Sequence, residues 1–353
     1  MSGGWHSRPF GEGDDKEVLR LRVRVMGDVD PVRLQERTWR WQFAENPAGP
    51  PVCRLAEDDG RVVGQYVVIP VRMRVAEENC TWFFSCDTMV DPDYRRRGIF
   101  TDLAREVYQS IESDCPGTSV WGFPNGSSVP GFSGKLDWEV LTVFPVRLFL
   151  LHPARALMRR TFLGKGAGRI TSPAYQGGIP MDSPSIRLVP VERFGREWDE
   201  VWERNKDIAQ VMQVRDSLYY NWRYLQGPDF GYRSYYVNRD GRIEGVIVLR
   251  EVSLEGFRVG ALVEIFPFPV VDKEMSREIL TAVIRHFRDR RMDLVSALLS
   301  TADDEFFTES GFRTLPEKLN PRTWYFGGRF PSEDHPACRI ENWYLTYGDA
   351  DIV

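Results

Sequence analysis

The feature that most constrains this chain of 353 residues is a repeat of its own sequence. The segment from Trp41 to Asp91 returns 181 positions later, from Trp222 to Asp272, and the matched positions need no gap. Chance gives single matches but not a gapless series, so the sequence predicts two copies of one structural unit. Matched residues of the two copies include Pro47 and Pro228, Asp59 and Asp240, Gly60 and Gly241, Gly64 and Gly245, and Val90 and Val271.

Each copy shows the same coarse order of helices and strands. A tryptophan-containing helical stretch leads to a strand, an Asp-Gly turn and a second strand, and Gly accepts the positive φ angle that such a hairpin turn needs. A third strand and an amphipathic helix follow, which predicts an α/β fold class with a mixed α+β sheet in each copy. In the first copy the apolar stripe of that helix consists of Ile99, Leu103, Val107 and Ile111.

The repeat also suggests how the chain divides into domains. From Val140 to Met181 there is no acidic residue, and the end of this stretch is rich in Gly, Pro and Ser. A solvated basic linker and a site for an anionic substrate or membrane surface both fit this composition. We expect a first domain at residues 1–150, a basic connector at 151–185, a second domain at 186–330 and an aromatic, acidic tail at 331–353.

Charge and composition argue against several classes of function. A formal net charge of −5 disfavours a general nucleic-acid binder, whose surface would be basic. The longest apolar stretch is interrupted by Pro145 and Arg147, so no transmembrane helix is expected, and the first residues lack a signal-peptide layout. The five cysteines form no CxxC pair and the four histidines lie far apart. We therefore expect a reduced, cytoplasmic protein without a metal site.

The most informative segment lies between the third strand and the amphipathic helix of the first copy. Asp91 and Pro92 end the strand, and Gly98 opens the helix, where the missing Cβ lets a ligand approach the backbone. Arg95–Arg97 precede the free N–H groups of the helix start, which favours an anion such as a pyrophosphate. A solvent-exposed basic turn also fits. Because helix starts ordinarily favour Asp or Glu, three arginines here oppose the helix dipole, and that favours the functional interpretation.

This segment resembles motif A of the GNAT superfamily of N-acetyltransferases, whose pattern is Arg/Gln-x-x-Gly-x-Gly/Ala. Arg95 and Gly98 match the pattern, and Phe100 departs from its small last position. In the family, backbone amides of this loop hold the pyrophosphate of coenzyme A, and the preceding strand contacts the pantetheine. The resemblance implies two acyl-CoA N-acyltransferase-like (GNAT) domains in tandem and acetyl-CoA as cosubstrate. The cofactor-binding residues it implies are Met89, Val90, Arg95, Arg96, Arg97, Gly98, Ile99 and Phe100.

A second family motif is similar to residues 119–138. It consists of a strand, an Asn, a helix and an aromatic terminal segment, and the resemblance assigns Asn125 to the cofactor site. Ser133 stands where many relatives carry a tyrosine general acid, and a serine hydroxyl cannot replace a phenol as an acid because its pKa is far higher. Another tyrosine, water or a residue of the second copy would then protonate the leaving thiolate, unless acid catalysis matters little.

The second copy lacks the basic loop. At the 181-residue offset, Arg95 and Arg97 become Ser276 and Glu278, and a glutamate would repel a pyrophosphate. The resemblance to tandem acetyltransferases with one degenerate lobe implies that this copy keeps the fold without the cofactor site and shapes the acceptor cleft.

The predicted reaction is direct attack of an acceptor amine on the thioester of acetyl-CoA, with a small molecule or an amino sugar as the favoured acceptor. Asp87, on the strand before the loop, is the candidate base or amine-binding carboxylate, and a merely solvated strand residue fits equally. A backbone N–H near Val90 would polarise the acetyl carbonyl. Positioning alone supplies up to ~7–11 kcal/mol, so a strong acid or base is not required. The catalytic candidates are Asp87 and Ser133.

Two other functions fit the sequence. A non-catalytic acyl-CoA-binding module is kept open by Ser133, and an aminoacyl or peptidyl transferase of the Fem type is disfavoured because such relatives lack the coenzyme A loop. We expect the C-terminal tail to enter the active cleft, so that deletion of residues 345–353 abolishes activity and leaves thermal stability largely intact. The sequence leaves the acyl group, the acceptor and the oligomeric state open.

Overall fold

Each of two units of the chain is built around its own β-sheet. Unit 1 comprises Met1–Val143 and Arg322–Ile340, and unit 2 comprises Phe144–Pro321 and Glu341–Val353. Helices and both parallel and antiparallel strand pairs occur in each unit, which confirms the predicted mixed α/β class. The structure, a computed structural model, describes residues 4–26, 30–144, 146–153, 168–169, 178–254, 256–300, 304–314 and 323–350.

The strands, numbered along the chain, form the sheet of unit 1 as follows. They are β1 (His6–Pro9), β2 (Val52–Asp58), β3 (Arg61–Val75), β4 (Glu78–Val90), β5 (Val120–Gly122), β6 (Glu139–Phe144) and β16 (Trp324–Arg329). Their order is β1-β2-β3-β4-β5-β16-β6, antiparallel from β1 to β4 and parallel between β4 and β5. The helices are α1 (Asp15–Met26), α2 (Glu36–Trp39), α3 (Ile99–Asp114) and α4 (Val129–Lys135).

Side chains of β3 contribute to a core on each face of this sheet, and the register shift opposite Ala56 and Glu57 interrupts their alternation at Val63 and Gly64. On one face Val62 packs with Met89 and with Val18 of α1. On the other face Val63 packs against α3, because Gly64 leaves room for the start of that helix: a Cβ at Gly64 would lie 2.6 Å from the Ile99 side chain. The predicted apolar stripe of α3 is confirmed as core and comprises Ile99, Leu103, Val107 and Ile111.

A β-bulge interrupts β4 near its end. The parallel pairing of β4 with β5 runs only as far as Ser85 and Gly122. Just beyond, the register between β3 and β4 shifts, so that Asp87 and Thr88 lie opposite Tyr66. The φ angle of Asp87 is 45°, in the left-handed region. Since a bulge bends its strand, β4 parts from β5 at the end that leads into α3.

Unit 2 contains the remaining elements. Its helices are α5 (Arg196–Asn205), α6 (Ser217–Tyr220), α7 (Lys273–Asp289) and α8 (Asp304–Glu309). Its strands are β7 (Arg147–Leu150), β8 (Gly168–Arg169), β9 (Ile186–Pro190), β10 (Val211–Gln213), β11 (Arg233–Arg239), β12 (Arg242–Leu254), β13 (Phe257–Phe266), β14 (Leu294–Ala297), β15 (Arg313–Thr314) and β17 (Trp343–Tyr344). The main sheet has the order β15-β7-β14-β13-β12-β11-β9, and β17 pairs in parallel with β10.

Elements of the two units recur at the offset seen in the sequence. Helices α2 and α6 occupy matched positions, and each continues into a π-helical turn, Arg40–Ala44 and Asn221–Leu225. Strands β2 and β11 also match, down to a register shift after Ala56 in the one and after Val237 in the other. The two hairpins are therefore built alike at the level of single residues.

The correspondence is lost beyond these hairpins. Strand β13 ends at Phe266, whereas β4 extends to Val90. Val271, which the 181-residue offset matches to Val90, therefore lies outside any strand, in the turn before α7. Val90 and Val271 match in the sequence but are not structurally equivalent, because only Val90 lies in a strand.

Two strands cross the predicted domain boundaries. Strand β7 lies within residues 1–150 but pairs with β14 and β15 of unit 2, and β16 lies within residues 186–330 but pairs with β5 of unit 1. Arg147, at the start of β7, is buried and donates to the Leu299 carbonyl at 3.2 Å, so it does not belong to a solvated basic surface. Of the predicted connector, residues 154–167 and 170–177 lie outside the described residues.

The C-terminal segment is part of the core of unit 2. Tyr344, Leu345 and Tyr347 are buried. Asp349 accepts from the backbone N–H of Thr346 at 2.7 Å and from Arg215 Nη2 at 2.6 Å, and both ion-paired side chains are almost fully buried. The expectation that removal of residues 345–353 leaves stability intact is therefore wrong, since the described part of that segment supplies core contacts.

We predict that Asp349→Ala destabilises unit 2. Removing Asp349 takes the partner from the buried Arg215 Nη2 and from the Thr346 N–H, which costs about 3 kcal/mol. Arg215 is then left with Glu264, whose Oε2 lies 3.4 Å from Arg215 Nε. Urea unfolding followed by tryptophan fluorescence measures the change, with Asp334→Ala as the control because Asp334 is exposed. Equal free energies of unfolding of the two variants would show that Asp349 does not stabilise unit 2.

Candidate functional site

The start of α3 is an uncapped helix N-terminus. Gly98 is the N-cap residue, its φ angle is 84°, and no side chain caps the helix. Its carbonyl accepts from the Asp102 N–H at 3.0 Å and from Thr101 Oγ1 at 2.9 Å, which closes the first turn. The N–H groups of that turn have no partner inside the helix and, together with the helix dipole, favour an anion.

The loop before α3 is anchored by the buried side chain of Asp91. Its Oδ1 accepts from the Asp93 N–H at 3.0 Å, and its Oδ2 lies 2.9 Å from Arg24 Nε. The Tyr94 hydroxyl donates to Asp58 Oδ2 at 2.6 Å, and this hydrogen bond raises the pKa of Tyr94. These contacts hold the first part of the loop, Asp91 to Tyr94, in place directly before the arginines.

The three arginines of the loop are exposed. The Arg97 guanidinium lies 4.6 Å from the ring centre of Tyr94, and its Nη2 donates to the Asp93 carbonyl at 3.1 Å. Within the part of the chain that the structure describes, no carboxylate lies in ion-pair range of Arg95 or Arg96. Two positive charges beside an uncapped helix start are therefore available to a ligand.

Phe100, which departs from the family pattern, fits between α3 and α4. Its ring centre lies 4.9 Å from that of Phe132 and 6.0 Å from that of Tyr66. Gly131 makes room for it, because a Cβ there would lie 2.5 Å from Phe100 Cε1. The large side chain at this position therefore packs against the core and is matched by a small residue on the facing helix.

Asn125 and Ser133 make local structural contacts. Asn125 Oδ1 accepts from the N–H groups of Ser127 and Ser128, both at 3.0 Å, which closes the turn before α4. Ser133 is exposed, and its hydroxyl donates to the Val129 carbonyl one helical turn earlier at 3.0 Å. Their assignments to the cofactor and to catalysis stay predictions.

Asp87 is buried, contrary to the solvated alternative. Its carboxylate is paired with Arg22 of α1, whose side chain is 1% exposed. Met89 packs into the core on this same face, and Val90 packs against the core on the α3 face. The side chains of Met89 and Val90 are therefore occupied by core packing. The pantetheine contact that the resemblance implies for these two residues stays a prediction, and it would involve their backbone.

A hydrogen-bonded group of side chains, which the sequence did not indicate, lies on the α3 face where β4 and β5 part. The hydroxyls of Tyr66 and Tyr108 are 2.7 Å apart. Ser85 donates to Tyr66 at 3.1 Å, and the Trp138 indole donates to Tyr108 at 2.8 Å. Burial raises the pKa of both tyrosines. These four residues come from β3, β4, α3 and the segment after α4, so no local pattern could have grouped them.

The corresponding helix of unit 2 begins differently. Asp272 caps α7, because its Oδ1 accepts from the Met275 N–H at 2.8 Å. Its Oδ2 also lies 3.0 Å from Arg239 Nη2. A carboxylate of the chain itself therefore caps this helix start, whereas the start of α3 has no side-chain cap. That the second copy has no cofactor site stays a prediction.

Among the described residues, no group of three or more His, Cys, Asp or Glu side chains is arranged to hold a metal ion. No helix in that part of the chain is long and apolar enough to span a membrane.

Comparison with known proteins gives a family match and similar structures. The acetyltransferase (GNAT) domain family matches residues 6–141. N-myristoyltransferase of Saccharomyces cerevisiae with bound myristoyl-CoA superposes with a TM-score of 0.62 at 12% identity, covering 94% of this chain and 83% of that one. A GCN5-related N-acetyltransferase of Anabaena variabilis gives a TM-score of 0.59 at 12% identity, with coverages of 93% and 73%. A search of curated proteins finds no match.

These findings confirm the GNAT resemblance and the predicted fold. The family match covers the segment that holds the arginine loop and the uncapped helix. The structural likeness extends over nearly the whole chain, and at such low identity it establishes the fold and not the substrate.

Proposed function

We propose, from the premise that residues 6–141 form a GNAT acetyltransferase domain, that the chain is an N-acyltransferase that transfers an acyl group from acyl-coenzyme A to an amine. The observation that carries this proposal is the uncapped start of α3 at Gly98, flanked by the unpaired charges of Arg95 and Arg96. A pyrophosphate is the group that such an arrangement binds best. The similar yeast structure contains myristoyl-CoA, which supports an acyl-CoA as the donor.

The pantetheine arm would follow β4 beyond Ser85, where the pairing with β5 ends. The acceptor amine attacks the thioester carbonyl carbon, a C–N bond forms and the C–S bond breaks. The amine nitrogen gives up a proton to water, and the leaving thiolate takes up a proton. A backbone N–H of β4 near Val90 polarises the carbonyl. We assign no proton transfer to Asp87, since its carboxylate is paired with Arg22 on the α1 face.

Protonation of the leaving thiolate does not depend on Ser133 in this proposal. Its hydroxyl is bound to the Val129 carbonyl, and a serine is a far weaker acid than a phenol. The hydroxyls of Tyr66 and Tyr108 lie beside the parting of β4 and β5, but burial raises the pKa of both and makes them weaker acids than an exposed phenol. Water therefore supplies the proton.

Acetyl is the acyl group we propose, and a small-molecule amine such as an amino sugar is the acceptor. Phe100, in the first turn of α3, packs on Phe132 and Tyr66, and we place the end of the acyl chain against these rings, where a short chain fits best.

We predict that Gly98→Ala weakens acetyl-CoA binding about tenfold or more, because a side chain is strained at a φ angle of 84° and the new Cβ would lie 3.1 Å from Asp102 Oδ2, which displaces the backbone N–H groups of the helix start from their charge-assisted hydrogen bonds. Isothermal titration calorimetry measures the dissociation constant. Gly60→Ala is the matched control: Gly60 also has a positive φ angle, of 75°, and lies in the β2–β3 turn. Absence of acetyl-CoA binding by the wild type would overturn the proposal.

An assay of acyl transfer by the wild type distinguishes an enzyme from a non-catalytic acyl-CoA-binding module. Release of free thiol from acetyl-CoA in the presence of a panel of amines, followed with a thiol reagent, should exceed release without amine. Tight binding without any amine-dependent release would favour the non-catalytic alternative.

We predict that Phe100→Ala shifts the donor preference toward longer acyl chains. Removing the ring opens space beside Gly131, so the kcat/KM ratio of hexanoyl-CoA to acetyl-CoA should rise about tenfold. Phe10→Ala is the control, since Phe10 is likewise half-buried and stacks on Trp39 at 5.2 Å elsewhere in unit 1. An unchanged ratio in Phe100→Ala would show that this ring does not limit the acyl chain.

A further inference from the structure

A buried ion pair lies directly behind the bulge of β4. Arg22 of α1 and Asp87 of β4 face each other with side-chain exposures of 1% and 2%. Arg22 Nη1 also donates to the Arg33 carbonyl at 2.8 Å. One guanidinium therefore links three segments: helix α1, the turn before α2 and the bulged strand.

The backbone of the bulge is held as well. Asp87 adopts a left-handed φ angle of 45°, which is unfavourable for a residue with a side chain. Its carbonyl accepts from Gln65 Nε2 at 3.0 Å, and Gln65 is buried. Both the side chain and the main chain of Asp87 are thus fixed by polar partners, which stabilises a backbone conformation that the strand would otherwise avoid.

The position of the bulge connects this pair to the site. The last pair between β4 and β5 is Ser85 with Gly122, two residues before Asp87. The arginine loop begins a few residues after it, where Asp91 pairs its N–H with the Val63 carbonyl at 2.9 Å. The bulge is therefore the point at which β4 leaves β5 and turns toward the start of α3.

We propose that Arg22 and Asp87 are positioning residues for acyl transfer: their ion pair holds β4 in its bulged path and so keeps the backbone beside the thioester in its productive place. This inference rests on the proposed function. Arg22 and Asp87 act from the opposite face of the sheet and do not touch the reacting atoms. A purely stabilising role is the alternative, because buried ion pairs are often replaceable by neutral groups at little loss of stability.

The experiment compares Asp87→Asn, Arg22→Met and the double variant with wild type. Asparagine retains the size of the side chain and tolerates the left-handed conformation, so it removes little besides the charge. The control is Asp14→Asn with Arg8→Met, which removes another, half-buried ion pair of unit 1, between Arg8 Nη1 and Asp14 Oδ2 at 2.6 Å, together with the contact of Arg8 Nε with Glu57 Oε2 at 2.6 Å. For each folded variant, the dissociation constant of coenzyme A and kcat with acetyl-CoA are measured.

We expect the Arg22 and Asp87 variants to lose about tenfold to hundredfold in kcat, since small displacements of the reacting geometry have effects of this size. Their affinity for coenzyme A should change far less, because the loop and the start of α3 are not altered. The control variants should keep both quantities. Equal kcat in folded Asp87→Asn and wild type would overturn the proposal.

A second readout does not require turnover. Hydrogen exchange of the backbone amides at residues 85–90 should accelerate in Asp87→Asn, while exchange within α3 stays as in wild type. Unchanged exchange along β4 would overturn the proposal even if activity falls. If the wild type transfers no acyl group, the proposed function fails, and faster exchange in the variant would then still support the role of the pair in holding the bulge.

Discussion

The first-turn amides of an α-helix need hydrogen-bond acceptors, and the two units of this chain differ in whether a side chain supplies one. At α7 the carboxylate of Asp272 accepts from the Met275 N–H. At α3 the N-cap residue is Gly98, which has no side chain to offer. The exposed arginines Arg95–Arg97 and the loop anchored through Asp91 lie directly before this uncapped start. The same fold therefore closes the helix start with a side chain in one unit and leaves it without a side-chain cap in the other.

Local patterns in the sequence predicted local structure well. The Asp-Gly turns, the hairpin strands and the apolar stripe of α3 occur as expected, because hairpin geometry and helix periodicity are fixed by neighbouring residues. The arginine loop was found for the same reason, since strand, turn and helix start follow one another in the chain. The π-helical turns at matched positions were not predicted, since the sequence indicated only a helical stretch in each copy.

Features that depend on distant residues could not be predicted in this way. The partner of Asp87 is Arg22, far away in sequence, so a residue that looked like a solvated or catalytic carboxylate is a buried ion-pair member. The hydroxyl contact of Tyr66 with Tyr108 joins a strand to a helix. The departure at Phe100 is explained only by Gly131 on the facing helix, because the space for a large ring is created by a residue from another element.

The exchange of β7 and β16 has a consequence for how the chain acquires its structure. Strand β16, at Trp324–Arg329, pairs with β5 in unit 1, although almost all of unit 2 lies between them in the sequence. During synthesis from the N-terminus, the sheet of unit 1 can be completed only after the chain as far as Arg329 has emerged from the ribosome. By then almost all of unit 2 has been synthesised as well. A fragment cut after residue 150 would expose the edge of β5 that β16 normally covers, and unpaired edges of this kind promote aggregation. The repeated halves are therefore successive in the sequence but not separable as folding units.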